Sequence, residues 1–203
     1  MPREMYPGDP GWEPMRTPWG TADHITILAD GVRRVDTPSH GGYKLDARMN
    51  RKVAEAWRQD GGWYEEDCDW AIVVITFPDL FPLDAIGPAH DTAINWYPDA
   101  YCTVTGTPIE SIAERSWKLR QRAAEIANAE KWVVVSAFGS WHKAVPEGMV
   151  GVVTSLGGKR TVGTPTRNFL VSAEEYEKAA HDWFAIDPDR HQRWVGPDAE
   201  AVA

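Results

Sequence analysis

The stretch His24-Ile25-Thr26-Ile27-Leu28-Ala29-Asp30-Gly31-Val32-Arg33-Arg34-Val35-Asp36 decides the fold. Two runs rich in β-branched residues flank Asp30-Gly31, a dipeptide that reverses the chain because glycine takes positive φ without a steric penalty. The spacing predicts a β-hairpin. Near the other end, Lys131 to Phe138, Met149 to Ser155 and Asn168 to Val171 read as three further strands, with Gly157-Gly158 turning the chain before the third. These predict an antiparallel meander.

Between the two strand regions the pattern turns helical. Asp46 is placed to cap a helix to about Arg58, with Met49, Val53 and Trp57 on one face and Gly61-Gly62 ending it. Asp69 to Phe77 fits a helix carrying Trp70, Val73, Val74 and Phe77 inward, closed by Pro78, or a strand through the β-branched run Ile72 to Thr76. The acidic N-terminal flank favours the helix. Thr107-Pro108-Ile109-Glu110 has the form of a capping box, and Ile109, Ile112, Ser116, Leu119, Ala123 and Ile126 keep a helical period for about five turns after it. Ser172 with Glu175 forms a second capping box, for a short helix to about Trp183.

Strand pairs on either side of a helical middle predict an α+β fold, because parallel crossovers require strands and helices to alternate. The expected architecture is a single domain over residues 19–186. In it an antiparallel sheet, made of the N-terminal hairpin plus the C-terminal meander, packs against three to four helices. Residues 1–18 hold five prolines and read as an irregular arm, and residues 187–203 read as a loose C-terminal tail.

Composition narrows the function classes. Thirty Asp and Glu against 21 Lys and Arg give a net charge of −9, which makes duplex nucleic acid an unfavourable partner, since neutralising phosphates supplies most of that affinity. Cys68 and Cys102 are too few for a secreted disulfide scaffold. The longest apolar run, Trp70 to Ile75, is far below the roughly 20 residues a bilayer span needs, and the proline-rich start has no signal-peptide core. The expectation is a cytoplasmic protein of the host cell with no membrane partner. No Walker loop, GxGxxG or GxSxG occurs.

Two segments carry unusual chemistry. In Ser39-His40-Gly41-Gly42-Tyr43-Lys44, two glycines allow backbone N–H groups to converge on an anion or carbonyl oxygen, and His40 beside them is a general acid or base. Ser39, Gly41, Gly42 and Lys44 are then ligand-binding candidates; a plain tight turn explains the same residues. In Glu65-Glu66-Asp67-Cys68-Asp69, four carboxylates in five residues suit acid/base work or a divalent cation, with Glu66 and Asp67 as the candidates beside His40. The ordinary explanation is a solvated helix N-terminus. Cys68, amid negative charge, is a poor nucleophile. His24, His90, His142, His181 and His191 are scattered without zinc-site spacing, so no metal ligand is assigned, and the sequence names no cofactor. Arg115, Lys118, Arg120 and Arg122 alternate with glutamates, as on an exposed helix face.

Trp19-Gly20, Thr37-Pro38-Ser39-His40-Gly41-Gly42, Trp63 to Cys68 with Phe77-Pro78, Val145-Pro146, Gly148-Met149-Val150, Arg167, Phe169-Leu170-Val171 and Glu175-Tyr176 together resemble an uncharacterised domain that recurs in phage, plasmid and other bacterial mobile-element proteins. The resemblance implies a setting, with no activity to carry over. On it rests the leading expectation: an intracellular accessory protein that binds and modulates a host or defence component, with a host or phage protein as partner. The alternative is a small hydrolase or transferase using His40 as general acid/base with Glu66 or Asp67 and a Gly41-Gly42 anion-binding turn.

Overall fold

The structure, a computed structural model, describes residues 2–179 and 183–197. It is an α+β protein in which antiparallel sheets combine with six α-helices among the described residues. The chain divides into two compact units, Met1–Arg120 and Gln121–Ala203.

The first unit is built on β1 (Arg3–Met5), β2 (Arg16–Thr17), β3 (Gly20–Thr21), β4 (His24–Ala29), β5 (Val32–Asp36), β6 (Gly41–Leu45) and β7 (Trp63–Glu65). The hairpin read from the sequence is β4–β5, turned at Gly31 with φ 79°. It is the centre of a five-stranded sheet in the order β1-β4-β5-β6-β7, while β2 and β3 pair separately. The N-terminal arm thus contributes an edge strand, with Arg3 opposite Ile27 and Met5 opposite Ile25.

Side chains paired across antiparallel strands share a face, so the register sorts this sheet into two. On one face Val32, Tyr43, Leu45 and Tyr64 join a core with Ile72, Val73 and Ala93. Three helices supply that core: α1 (Ala47–Asn50), α2 (Trp70–Thr76) and α3 (Leu83–Trp96); α4 (Pro98–Thr105) adds Tyr101. On the other face Ala22, Ile25 and Val35 are covered by Met5, Trp12, Met15 and Trp63. Each fully buried aliphatic side chain contributes about 1.5–3 kcal/mol.

The ambiguous segment before Pro78 is the helix α2, while three expected helices are shorter than their patterns; the one read from Ser172 to about Trp183 ends at Lys178, where Ala179 turns extended. Asp46 caps α1 by accepting from Met49 N at 2.7 Å, but the helix stops at Asn50. The Arg58 guanidinium donates to the carbonyls of Val53 and Arg51, taking acceptors a continuing helix would have used. The capping box at Thr107 forms no side-chain cap and gives only a 3-10 turn, Ile109–Ser111. The long helix α5 (Trp117–Ala127) begins ten residues later, after Ser116, whose fully buried hydroxyl accepts from Leu119 N at 3.4 Å.

The second unit holds β8 (Trp132–Phe138), β9 (Met149–Leu156), β10 (Thr166–Ser172), α6 (Ala173–Lys178), β11 (Ala185–Ile186) and β12 (Gln192–Arg193), with sheet order β11-β8-β9-β10-β12. The predicted meander is β8-β9-β10. Ser172 caps α6 by accepting from Glu175 N at 3.1 Å. The residues after Asp187, expected to be loose, are ordered as far as Pro197. β12 extends the sheet, and Trp194 is buried against Gly151 with its indole N–H donating to Ala144 O at 2.8 Å.

Candidate functional site

Strand pairing joins the two segments of unusual chemistry. Thr37 N–H donates to His40 O at 2.7 Å, closing the turn that starts β6, and β7 returns antiparallel so that Gly42 lies opposite Glu65. Glu66 N–H then donates to Gly41 O at 3.1 Å. As a result a ligand atom of each of His40, Glu65 and Glu66 lies within 4.8 Å of the others, and His40 Nδ1 is 3.9 Å from Glu65 Oε1. His40 and Glu66 are exposed and Glu65 is half-buried. Among the described residues this is the group with the composition and spacing to hold a cation: one imidazole nitrogen and two carboxylates, a donor set suited to borderline divalent metals.

The other predicted site residues are placed differently. Asp67 is exposed, outside the cluster, and its N–H donates to Glu65 Oε2 at 3.2 Å. Ser39 is exposed on the turn. Lys44 points to the opposite face, where its ammonium lies 4.7 Å from the Trp63 ring centre and donates to Gly61 O; burial lowers its pKa.

The expected anion-binding turn is corrected. Gly41 and Gly42 are extended residues of β6, not positive-φ turn residues, and they pair with Asp36 and Val35. A Cβ on Gly41 would stand 2.7 Å from both Asp36 Oδ1 and Glu66 Oε2. Carboxylates therefore fill the space where an anion would sit. A Cβ on Gly42 would meet Tyr64 O at 2.3 Å and Trp19 Cη2 at 2.5 Å.

The residues that sequence reasoning missed are those of the adjoining cleft. A cavity of about 410 Å³ is lined by Arg34, Tyr43, Glu66, Trp70, Val74 and Phe81, with Gly42 and Ala85. Glu66 belongs to both the cleft and the His40 cluster. Arg34 is oriented by Asp36, 3.1 Å from its Nε, and this hydrogen bond raises the pKa of an already permanent cation. Burial raises the Tyr43 pKa, with Arg34 opposing, so the hydroxyl stays protonated at neutral pH. Asp36 also meets His24 Nδ1 at 3.1 Å, and His24 Nε2 contacts Glu4. The alternation Arg34, Asp36 on β5 was the available signal: same-face residues next to Gly41 and Tyr43.

Cys68 and Cys102 are free, and Cys68 Sγ lies 3.1 Å from the Tyr97 hydroxyl. His90 Nδ1 lies 3.0 Å from the Tyr101 hydroxyl, away from the acidic segment. His181 lies outside the described residues. Among the described residues no helix is long and apolar enough to cross a membrane.

These features define an α+β protein with an imidazole–carboxylate cluster at the mouth of a mixed polar and apolar cleft. The chain belongs to the family described as "Domain of unknown function (DUF7007)", which matches residues 12–129. No curated protein and no solved structure matches it.

Proposed function

We propose that the protein is a small hydrolase or transferase working at the cleft beside Gly41. The observation that carries this reading is the convergence of His40, Glu65 and Glu66 within 4.8 Å at an open cleft. His40 moves the proton, and Glu65 orients the imidazole; the 3.9 Å gap is of the kind that tightens when substrate binds. Glu66, which reaches both the cluster and the cleft, acts as the second acid/base group. Arg34 and the Tyr43 hydroxyl receive a polar or anionic part of the substrate, and Trp70 and Phe81 receive an apolar part.

The test is a panel of p-nitrophenyl esters, phosphates and glycosides, assayed with and without a divalent metal. Wild type turns over at least one class, and His40→Gln and Glu66→Gln each lower kcat/KM by about 10²–10⁴-fold without lowering Tm. No turnover across the panel, or turnover indifferent to both substitutions, defeats the proposal.

A second reading keeps the accessory role: a phage or mobile-element protein in the host cytoplasm that binds a host or defence component. What supports it is Trp141, 76% exposed in an aromatic group with Phe138, His142 and Trp194, because aromatic anchors dominate protein interfaces. Pull-downs from host and infected lysates should recover a stoichiometric partner that Trp141→Ala loses; recovery of none ends this reading.

A further inference from the structure

The face of the first unit's sheet that carries Ile25 and Val35 holds a groove of about 580 Å³, separate from the cleft of Arg34 and Tyr43. Its floor is apolar, from Met5, Ile25, Ile27 and Trp12, and its edge carries Arg3, Arg16 and Arg33. The register explains the convergence. Arg3 and Arg33 both pair with Ile27, from β1 and β5, so both side chains rise on the same face, one strand apart. Neighbouring strands are about 4.8 Å apart, so the two backbones are roughly 10 Å apart, within converging reach of two arginine side chains. Arg16 comes from β2 on the arm that walls the groove.

What sets these three arginines apart is that they share one groove; among the described residues Arg51, Arg120 and Arg160 also lack a side-chain partner, but none of those lines it. Arg34, Arg48, Arg115 and Arg190 each form an ion pair with a carboxylate. Among the described residues the side chains of Arg3, Arg16 and Arg33 have no hydrogen bond, ion pair or ring contact, although acids outnumber bases 30 to 21. Glu13 is the one carboxylate lining the groove. Three unpaired guanidinium groups beside an apolar floor concentrate positive charge on a molecule that is otherwise negative.

We infer that this groove binds a nucleotide-sized organic phosphate, with the phosphate on Arg3, Arg16 and Arg33 and a flat apolar body on Met5, Ile25 and Trp12. Guanidinium forks match phosphate oxygens two at a time, which favours phosphate over a single-point anion. The volume lies in the range of small-molecule sites, and a bare anion would leave the floor uncovered. The inference does not rest on the hydrolase reading, which concerns the separate cleft of Arg34, Tyr43 and Glu66.

Calorimetric titration with the four common ribonucleoside monophosphates and diphosphates tests it, with the nucleosides, inorganic phosphate and the oligonucleotide dT10 as comparisons. At least one nucleotide should bind ten-fold or more tightly than both inorganic phosphate and its own nucleoside. The double substitution Arg16→Gln with Arg33→Gln should weaken that binding at least ten-fold at unchanged Tm. Lys44→Gln, a cation on the same face that does not line the groove, should leave it within two-fold. The inference is overturned if no nucleotide exceeds inorganic phosphate, if the double variant binds as wild type does, or if dT10 binds more tightly than every free nucleotide.

Discussion

The Trp19 indole occupies the space a side chain at residue 42 would need: a Cβ on Gly42 would stand 2.5 Å from Trp19 Cη2. Trp19 in turn meets Trp63 edge-on, with ring centres 5.6 Å apart. Gly42→Ala must therefore displace an indole and also relieve a 2.3 Å approach to Tyr64 O, a backbone atom with little room to yield. The expected cost is about 2–3 kcal/mol in urea unfolding, at the upper end of overpacking. Gly87→Ala, within α3, meets nothing within 4 Å apart from its chain neighbours and its own helix backbone; with Pro88 following it, the change should stay within about 1 kcal/mol of wild type, well below the cost at Gly42.

Carboxylates held near one another oppose folding. Glu66 Oε2 and Asp36 Oδ1 both crowd the space above Gly41, with Glu65 beside them. Glu66→Gln should leave the fold unchanged or more stable by up to about 1 kcal/mol, while lowering the turnover that the proposed hydrolase or transferase reading expects. A thermal melt of the variant checks this, and a clear loss of stability would make Glu66 a structural residue.

Alkaline pH should unfold the first unit through its tyrosines. Tyr97 is pushed upward by burial and by hydrogen bonds with the Asp69 carboxylate and the Cys68 thiol, and burial likewise raises Tyr43 and Tyr64. The unfolded chain loses these protons near pH 10, the folded chain only above it. Stability is thus fully present below about pH 10 and falls as pH rises further. Tyr97→Phe should flatten that fall and cost about 1–3 kcal/mol at pH 7, because Asp69 loses a donor. Urea midpoints between pH 8 and 11 measure both effects.

Acid should act on the second unit through Glu175. Burial alone would raise its pKa, but hydrogen bonds with Arg190 and His191 outweigh burial and lower it. A depressed carboxylate contributes stability above its unfolded value, near pH 4.3, and loses it as pH falls through the folded value. Glu175→Gln should destabilise by about 1–3 kcal/mol at pH 7 and remove that part of the acid dependence. Urea midpoints followed by far-ultraviolet circular dichroism between pH 2 and 7 would show whether the variant's slope differs from wild type.

The elements legible in the sequence were those whose local signals agreed with burial. Asp30-Gly31 gave the first hairpin, the β-branched runs gave β8, β9 and β10, and Ser172 gave the start of α6. β6 was hidden because Gly41-Gly42 lowers strand propensity, and glycine is there to admit Trp19 and two carboxylates. α3 and α4 went unread, although Pro98 at the start of α4 and Gly106, with φ 72°, just past its end are sound helix boundaries. At Thr107 the local signal was strong and tertiary structure overrode it: Ile112 and Ser116 are buried, and Ser116 starts the helix instead.

For the site, the meeting of His40 with the acidic segment was anticipated, but the partner is Glu65 together with Glu66, while Asp67 stays apart. Glu65 is the last residue of β7 and is placed by its pairing with Gly42, while Glu66 lies just past the strand and is held by its N–H donating to Gly41 O. Strand pairing therefore decides which of three neighbouring acids reach the imidazole. No sequence pattern states that pairing. Arg34 and Tyr43 were missed for the same reason: their cleft is completed by Trp70, Val74 and Phe81, which arrive from other elements.

Arg33 and Arg34 are adjacent in β5, yet Arg33 lines the groove with Ile25 and Ile27 while Arg34 lines the cleft with Tyr43 and Trp70. Point substitutions can tune either surface without touching the other. A one-residue insertion or deletion in β5 would send each guanidinium to the wrong side and undo both surfaces in a single event. Length variation among related chains should accordingly gather in the connections and spare residues 32–36.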